Sequence, residues 1–149
     1  MNPNSSDARD HLLYRDLCYR IINAFFEVYN WLGFGFLESV YAKALEIALR
    51  SRGLRVEREV PIQVFFHEHL VGTHRIDMLV EGRIIVEIKS SEQLSKFALR
   101  QTRNYLAAAN LELGLVLHFG KTATFCRVLA RKRPTLQQHN SANGPNSDL

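Results

Sequence analysis

Cysteine is scarce in this chain of 149 residues: Cys18 and Cys126 stand alone, and neither belongs to a CxxC pair. A disulfide scaffold and a cysteine-based zinc site are thereby disfavoured, and a reducing compartment is the simpler expectation. No apolar run is long enough to span a bilayer. The N-terminus, MNPNSSDARDHLLYRD, is polar and acidic where a secretory leader would be basic and then apolar. These absences point to a soluble, cytoplasmic protein without a membrane partner. Internal repeats are absent too.

What is present has the balance of a globular domain. Hydrophobic residues make up 46% and charged residues 23%, which excludes a fully disordered chain, and the length suits one core. Lys plus Arg number 19 against 15 Asp plus Glu, a formal charge of +4. This excess permits a polyanionic partner without requiring one.

From about Asp10 a helical pattern begins, with Leu17, Ile21, Phe25, Val28, Tyr29 and Leu32 on one stripe. Gly33-Phe34-Gly35 ends it, and a second helix, FLESVYAKALEIALRSRG, follows. Its expected buried face is Leu37, Val40, Tyr41, Ala44, Leu45 and Ala48. The pattern then turns β-branched and aromatic. Strands are expected over residues 55–66, 70–80 and 83–89, with turns at His67-Glu68 and Glu81-Gly82, and with Pro61 marking an irregularity or an edge. A third helix is expected over residues 94–110, with Phe97, Ala98, Gln101, Tyr105 and Ala108 on one face, then strands over 113–119 and 122–128. The first three strands read as an antiparallel meander, and the third helix can cross over so that the fourth strand lies parallel to the third. The fold class is α/β, in the order αα-βββ-α-ββ, with a mixed four- to five-stranded sheet flanked by helices. The domain spans residues 10–129, between tails at 1–9 and 130–149 that lack a core pattern.

Chemistry concentrates in HRIDMLVEGRIIVEIKS. Strand alternation puts Glu87 and Lys89 on one side and Ile88 on the other, next to the apolar run Ile84, Ile85, Val86. A carboxylate and an ammonium there are costly unless paired or bound to something. Asp77, across the hairpin, can reach the same end of the sheet as Glu87. Two carboxylates brought together repel, and a divalent cation relieves the repulsion. Hard oxygen ligands with open positions suit Mg²⁺ or Mn²⁺. A structural Glu–Lys pair beside a surface Asp is the plainer reading of the same residues. Gln101, on the inner face of the third helix, needs hydrogen-bond partners. Glu38 borders the buried stripe of the second helix. Each alone reads equally as a satisfied core amide or a rim glutamate; together they outline a site. His67, His69 and His74 read as surface strand histidines, since neither cysteines nor a helical HExxH accompany them. Arg100 and Arg103, with Arg127 and the tail's Arg131, Lys132 and Arg133, form either phosphate contacts or a solvated face.

The order helix, Asp77, hairpin, Glu87-x-Lys89 and a helix carrying Gln101-x-x-x-Tyr105 resembles the PD-(D/E)xK nuclease superfamily. Gln101-Thr102-Arg103-Asn104-Tyr105 resembles the motif of its RecB-like exonuclease branch. Gly35-Phe36-Leu37-Glu38-Ser39-Val40-Tyr41 resembles the signature of the bacterial GxxExxY family. The resemblance runs from about residue 21 to residue 128 and implies a restriction-endonuclease-like core. It implies Asp77 and Glu87 as metal ligands, with the Ile88 carbonyl, and Lys89 as the group that orients or activates the attacking water. Glu38 would help hold the metal or a metal-bound water, and Gln101 would position Lys89 or the nucleic-acid backbone. Tyr105 would support that helix face, and with Arg100 and Arg103, the basic residues read above, it makes the expected nucleic-acid-binding set. Ile76 stands where the family has proline. The implied activity is Mg²⁺-dependent (or Mn²⁺-dependent) hydrolysis of nucleic-acid phosphodiester bonds, DNA ahead of RNA. A catalytically silent nucleic-acid- or protein-binding module on the same fold is the alternative. Retention of Asp77, Glu87 and Lys89 together favours the nuclease, because a silent copy has no chemical need of a buried acidic pair.

Overall fold

The computed structural model of the chain describes residues 4–130. Its elements are α1 (Asn4–Leu32), α2 (Glu38–Ser51), β1 (Val56–Phe66), β2 (His69–Val80), β3 (Ile84–Lys89), α3 (Lys96–Ala109), β4 (Leu113–Phe119) and β5 (Ala123–Leu129). The strands form one mixed sheet in the order β1-β2-β3-β4-β5. β1 to β3 are an antiparallel meander, α3 crosses over, β4 lies parallel to β3, and β5 returns antiparallel. The expected element order and the parallel crossover both hold, and the architecture is that of a restriction-endonuclease-like fold.

Helical periodicity explains the first layer. Leu17, Ile21, Phe25 and Val28 of α1 are buried together with Tyr41, Leu45 and Leu49 of α2, against Met78, Val86, Ile88, Leu117 and Phe119 of the sheet. Phe119 centres this core: its ring stacks on Tyr41 at 4.0 Å and meets Phe25 edge-on at 4.8 Å. On the opposite face, Ala98, Thr102 and Leu106 of α3 are buried. There Leu106 joins Ile62, Ile76, Ile85, Val116 and Val128. β3 and β4 are thus covered on both sides, which is why they read as continuous apolar runs.

Several boundaries and faces differ from the sequence reading. α1 already begins at Asn4, inside the stretch expected as an N-terminal tail. Residues 131–149, with Arg131, Lys132 and Arg133, lie outside the described residues. Leu37 is 75% and Val40 38% exposed; Leu37 is the extended N-cap ahead of α2, and Ala42 and Leu49 take the buried places instead. Phe97 is 68% exposed. α3 rests on the sheet through the row one residue further on, because it approaches closely: a Cβ added at Gly114 would meet Thr102 Cγ2 at 3.0 Å. Thr102 and Leu106 fill that contact, and the phenyl ring lies on the flank. Pro61 does lie on an edge strand, the place in a sheet where a residue without an N–H is tolerated. Among the described residues, no helix is long and apolar enough to cross a membrane.

Candidate active site

The site begins with a fault in β2. Met78 and Val80 face the α1–α2 core, so strict alternation would send Ile76 there too. Ile76 instead packs in the α3-side core, as does Leu79. The strand therefore rolls over at Asp77. Its neighbour across β1 is Glu59, whose φ of 52° lies in the left-handed region, and the ladder skips this pair between Arg58↔Met78 and Val60↔Ile76. On the other side, the β2–β3 ladder starts at Val80↔Ile84 and stops at Met78↔Val86. Asp77 thus sits where β2 parts from β3, an irregularity of the kind that re-aims side chains beside active sites.

Side chains take over the main-chain bonding at this split. The Asp77 amide donates to Glu87 Oε1 at 3.2 Å, and the Ile88 amide donates to Asp77 Oδ2 at 2.7 Å. Each carboxylate is held by a main-chain N–H beside the other. Glu87 is only 5% exposed. Burial raises its carboxyl from 4.5 to about 7, and the Asp77 charge pushes the same way. The Asp77 N–H and the Lys89 ammonium pull it down, while Glu38 adds a further upward push. One ammonium thus stands among three carboxylates.

The neighbouring residues hold this end of the sheet in place. Half-buried Lys89 ends β3 on the same side as Glu87. Ser90, next in the chain, donates through its hydroxyl to the Phe36 carbonyl at 2.7 Å, and its amide donates to Glu38 Oε1 at 3.3 Å. Glu38 is in turn the first residue of α2, and the loop before it is tied by the Tyr41 hydroxyl, which accepts from Phe36 N and donates to the Gly33 carbonyl. From α3, the Tyr105 hydroxyl has its pKa raised by burial and by the Glu87 charge, while the neighbouring Gln101 side chain pulls it down.

Two histidines outside the expected site set also belong here. His74, expected on the strand surface with His67 and His69, stacks face to face on Tyr105 at 3.8 Å and 5°. Burial and then the Lys89 charge lower its pKa, against Asp77, and its Nε2 is buried without a hydrogen-bond partner among the described residues. His118, opposite Lys89 in the parallel register, is buried at 5% exposure. Its Nε2 donates to the Ser91 carbonyl at 2.8 Å, and Nδ1 meets Thr124 Oγ1 at 3.3 Å, which fixes the chain just past Lys89. A lone imidazole within LGLVLHF was the available signal. Arg100 is exposed and Arg103 half-buried on the outer side of α3.

The donor set suits a hard cation. Asp77, Glu87 and Glu38 each use one oxygen on a main-chain N–H, which leaves the second oxygen of each for another partner. Among the described residues, no three His, Cys, Asp or Glu side chains close into a ligand cage. Mg²⁺ is ordinarily held by one or two carboxylates with water and substrate phosphate completing the shell, so the open pair Asp77–Glu87 fits it. A cation there would offset the burial cost and the Asp77 repulsion that together lift Glu87.

A model of the PD-(D/E)XK nuclease superfamily matches residues 15–128. The crystal structure of SSO0001 is similar at 18% identity with a TM-score of 0.50, over 64% of this chain and 50% of that one. The chain therefore spans about half the length of that structure, and the likeness is one of fold. Among curated proteins none matches.

Proposed function

The chain belongs to the PD-(D/E)XK nuclease superfamily, and on that premise we propose that it is a nuclease that hydrolyses phosphodiester bonds at the Asp77–Glu87–Lys89 end of its sheet. Members of the superfamily are generally divalent-metal dependent. The observation that carries the proposal is the interlocked acidic pair, with Glu87 buried and raised to about 7 beside Asp77 and Lys89. A stable fold gains nothing from such repulsion, whereas a cation site requires it.

Asp77 and Glu87 would hold Mg²⁺ or Mn²⁺, with Glu38 adding negative charge from α2. Bound there, the ion would lower the pKa of a water and neutralise charge on the scissile phosphate. Lys89 supplies a fixed positive charge where negative charge develops on the phosphate oxygens. Gln101 and Tyr105 brace that face of α3, and Arg100 and Arg103 offer charge to flanking phosphates. Within the superfamily, residues 35–41 support placement in the GxxExxY family, and the Gln101-to-Tyr105 run supports the RecB-like exonuclease branch. Two unpaired cysteines suit a cytoplasmic setting, and DNA is the preferred substrate of this reading.

The test is a cleavage screen on end-labelled single- and double-stranded DNA and RNA, with Mg²⁺, Mn²⁺ or chelator. Cation-dependent cleavage that Asp77→Asn abolishes is expected. Binding without cleavage on every substrate, with both cations, would instead establish a silent module.

A further inference from the structure

Beside Lys89 a groove of about 310 Å³ opens along the start of α3, lined by Lys89 and Gln101 at one end and by Leu94, Phe97 and Ala98 along its wall. Its volume lies at the lower end of the range for small-molecule sites. Phe97 is 68% exposed although it sits one helical turn from Gln101. It lies outside the Ala98-Thr102-Leu106 row that packs over Gly114, and its N–H is spent on the Ser95 cap. Outside the groove, Phe36 is 46% and Leu37 75% exposed, on the loop that Ser90 binds just past Lys89. On the outer side of α3, Lys96, Arg100 and Arg103 follow one another at steps of four and three as a basic row, with Lys96 and Arg100 next in the chain to Phe97 and Gln101.

We propose that this groove receives the unstacked base next to the cleaved phosphate, with Phe97 as its stacking platform, so that the substrate is single-stranded nucleic acid. The proposal rests on the nuclease reading above and names the substrate of that site. A basic row that tracks phosphates beside an aromatic that takes a base face is the general arrangement for single-strand binding. A duplex offers no such match, because its base faces are stacked inside and only phosphate, sugar and groove edges reach an exposed phenyl ring. The Gln101 amide lies where it can meet a base edge.

The experiment uses the full chain in chelator, so that binding is read without cleavage. Fluorescence anisotropy compares labelled oligothymidylate of about 12 nucleotides with an abasic strand of equal length and with a blunt duplex. The wild type should bind oligothymidylate more tightly than either. Phe97→Ala should weaken oligothymidylate binding by roughly five- to a hundredfold, leave the abasic strand unchanged and keep the melting temperature, while Phe97→Trp restores binding. Unchanged oligothymidylate affinity in Phe97→Ala, equal losses on the abasic strand, or a preference for the duplex would overturn the proposal. A Phe97 effect on binding in a protein that never cleaves would refute the nuclease reading alone; cleavage indifferent to Phe97, with binding likewise indifferent, would refute the base groove alone.

Discussion

Glu87→Gln should make the metal-free protein more stable at alkaline pH. The folded-state pKa of Glu87, about 7, lies above its ordinary value of 4.5. Between those values the folded protein binds the proton more tightly than the unfolded chain does. Glu87's contribution to stability is therefore fully favourable below 4.5, falls as pH rises through the window, and reaches its floor above 7. Each pH unit in that window carries about 1.4 kcal/mol, so the ionised carboxylate costs about 3 kcal/mol at pH 8. Glutamine keeps the oxygen that accepts from Asp77 N–H and removes the charge. At pH 4 the two proteins should melt alike. At pH 8 in chelator the variant should melt higher, by up to roughly 10 °C. Mn²⁺ at a thousand times its dissociation constant should reverse the order, since it adds about 4.1 kcal/mol to the wild type alone. Calorimetric melting of both proteins from pH 4 to 8, with and without Mn²⁺, reads all three effects. A variant less stable than wild type at pH 8 by the same margin as at pH 4 would refute the repulsion argument.

The remaining predictions address chemistry, electrostatics and support. Lys89→Met should lower turnover by roughly 10²–10³-fold while nucleic-acid affinity changes little, because the charge serves the transition state; a matching fall in stability without a change in turnover would make Lys89 a structural partner of Glu87. Arg100→Ala with Arg103→Ala should reduce the slope of log affinity against log salt by roughly one per lost phosphate contact, measured by anisotropy at several salt concentrations. Tyr41→Phe removes the hydroxyl that ties Phe36 N to the Gly33 carbonyl; it should cost about 1–2 kcal/mol in denaturant unfolding and raise hydrogen exchange in the loop before Glu38.

Much of this architecture was legible because periodicity is a direct consequence of packing. The α1 stripe from Leu17 to Val28 and the apolar run of β4 are what a two-layered helix cover demands, and alternation alone put Glu87 and Lys89 on one side of β3. Alternation also hid the decisive feature. The roll of β2 at Asp77 depends on Glu59 holding φ at 52°, and a glutamate gives no sign of a left-handed backbone as glycine would. On α3, the rows Phe97-Gln101-Tyr105 and Ala98-Thr102-Leu106 are neighbours, and only the contact over Gly114 decides which faces inward. His74 read as a surface residue because the partner that buries it, Tyr105, is brought to it by the crossover and lies far away in sequence.

The measurement that tests the central claim most directly is calorimetric titration of Mn²⁺ into metal-free full-length protein at pH 6 and pH 8. The acidic pair at the Asp77 split predicts one saturable site, tighter at pH 8 because the ion displaces the Glu87 proton. Binding should be lost in Asp77→Asn with Glu87→Gln. Undiminished Mn²⁺ binding in that double variant, or none in the wild type at either pH, would contradict it.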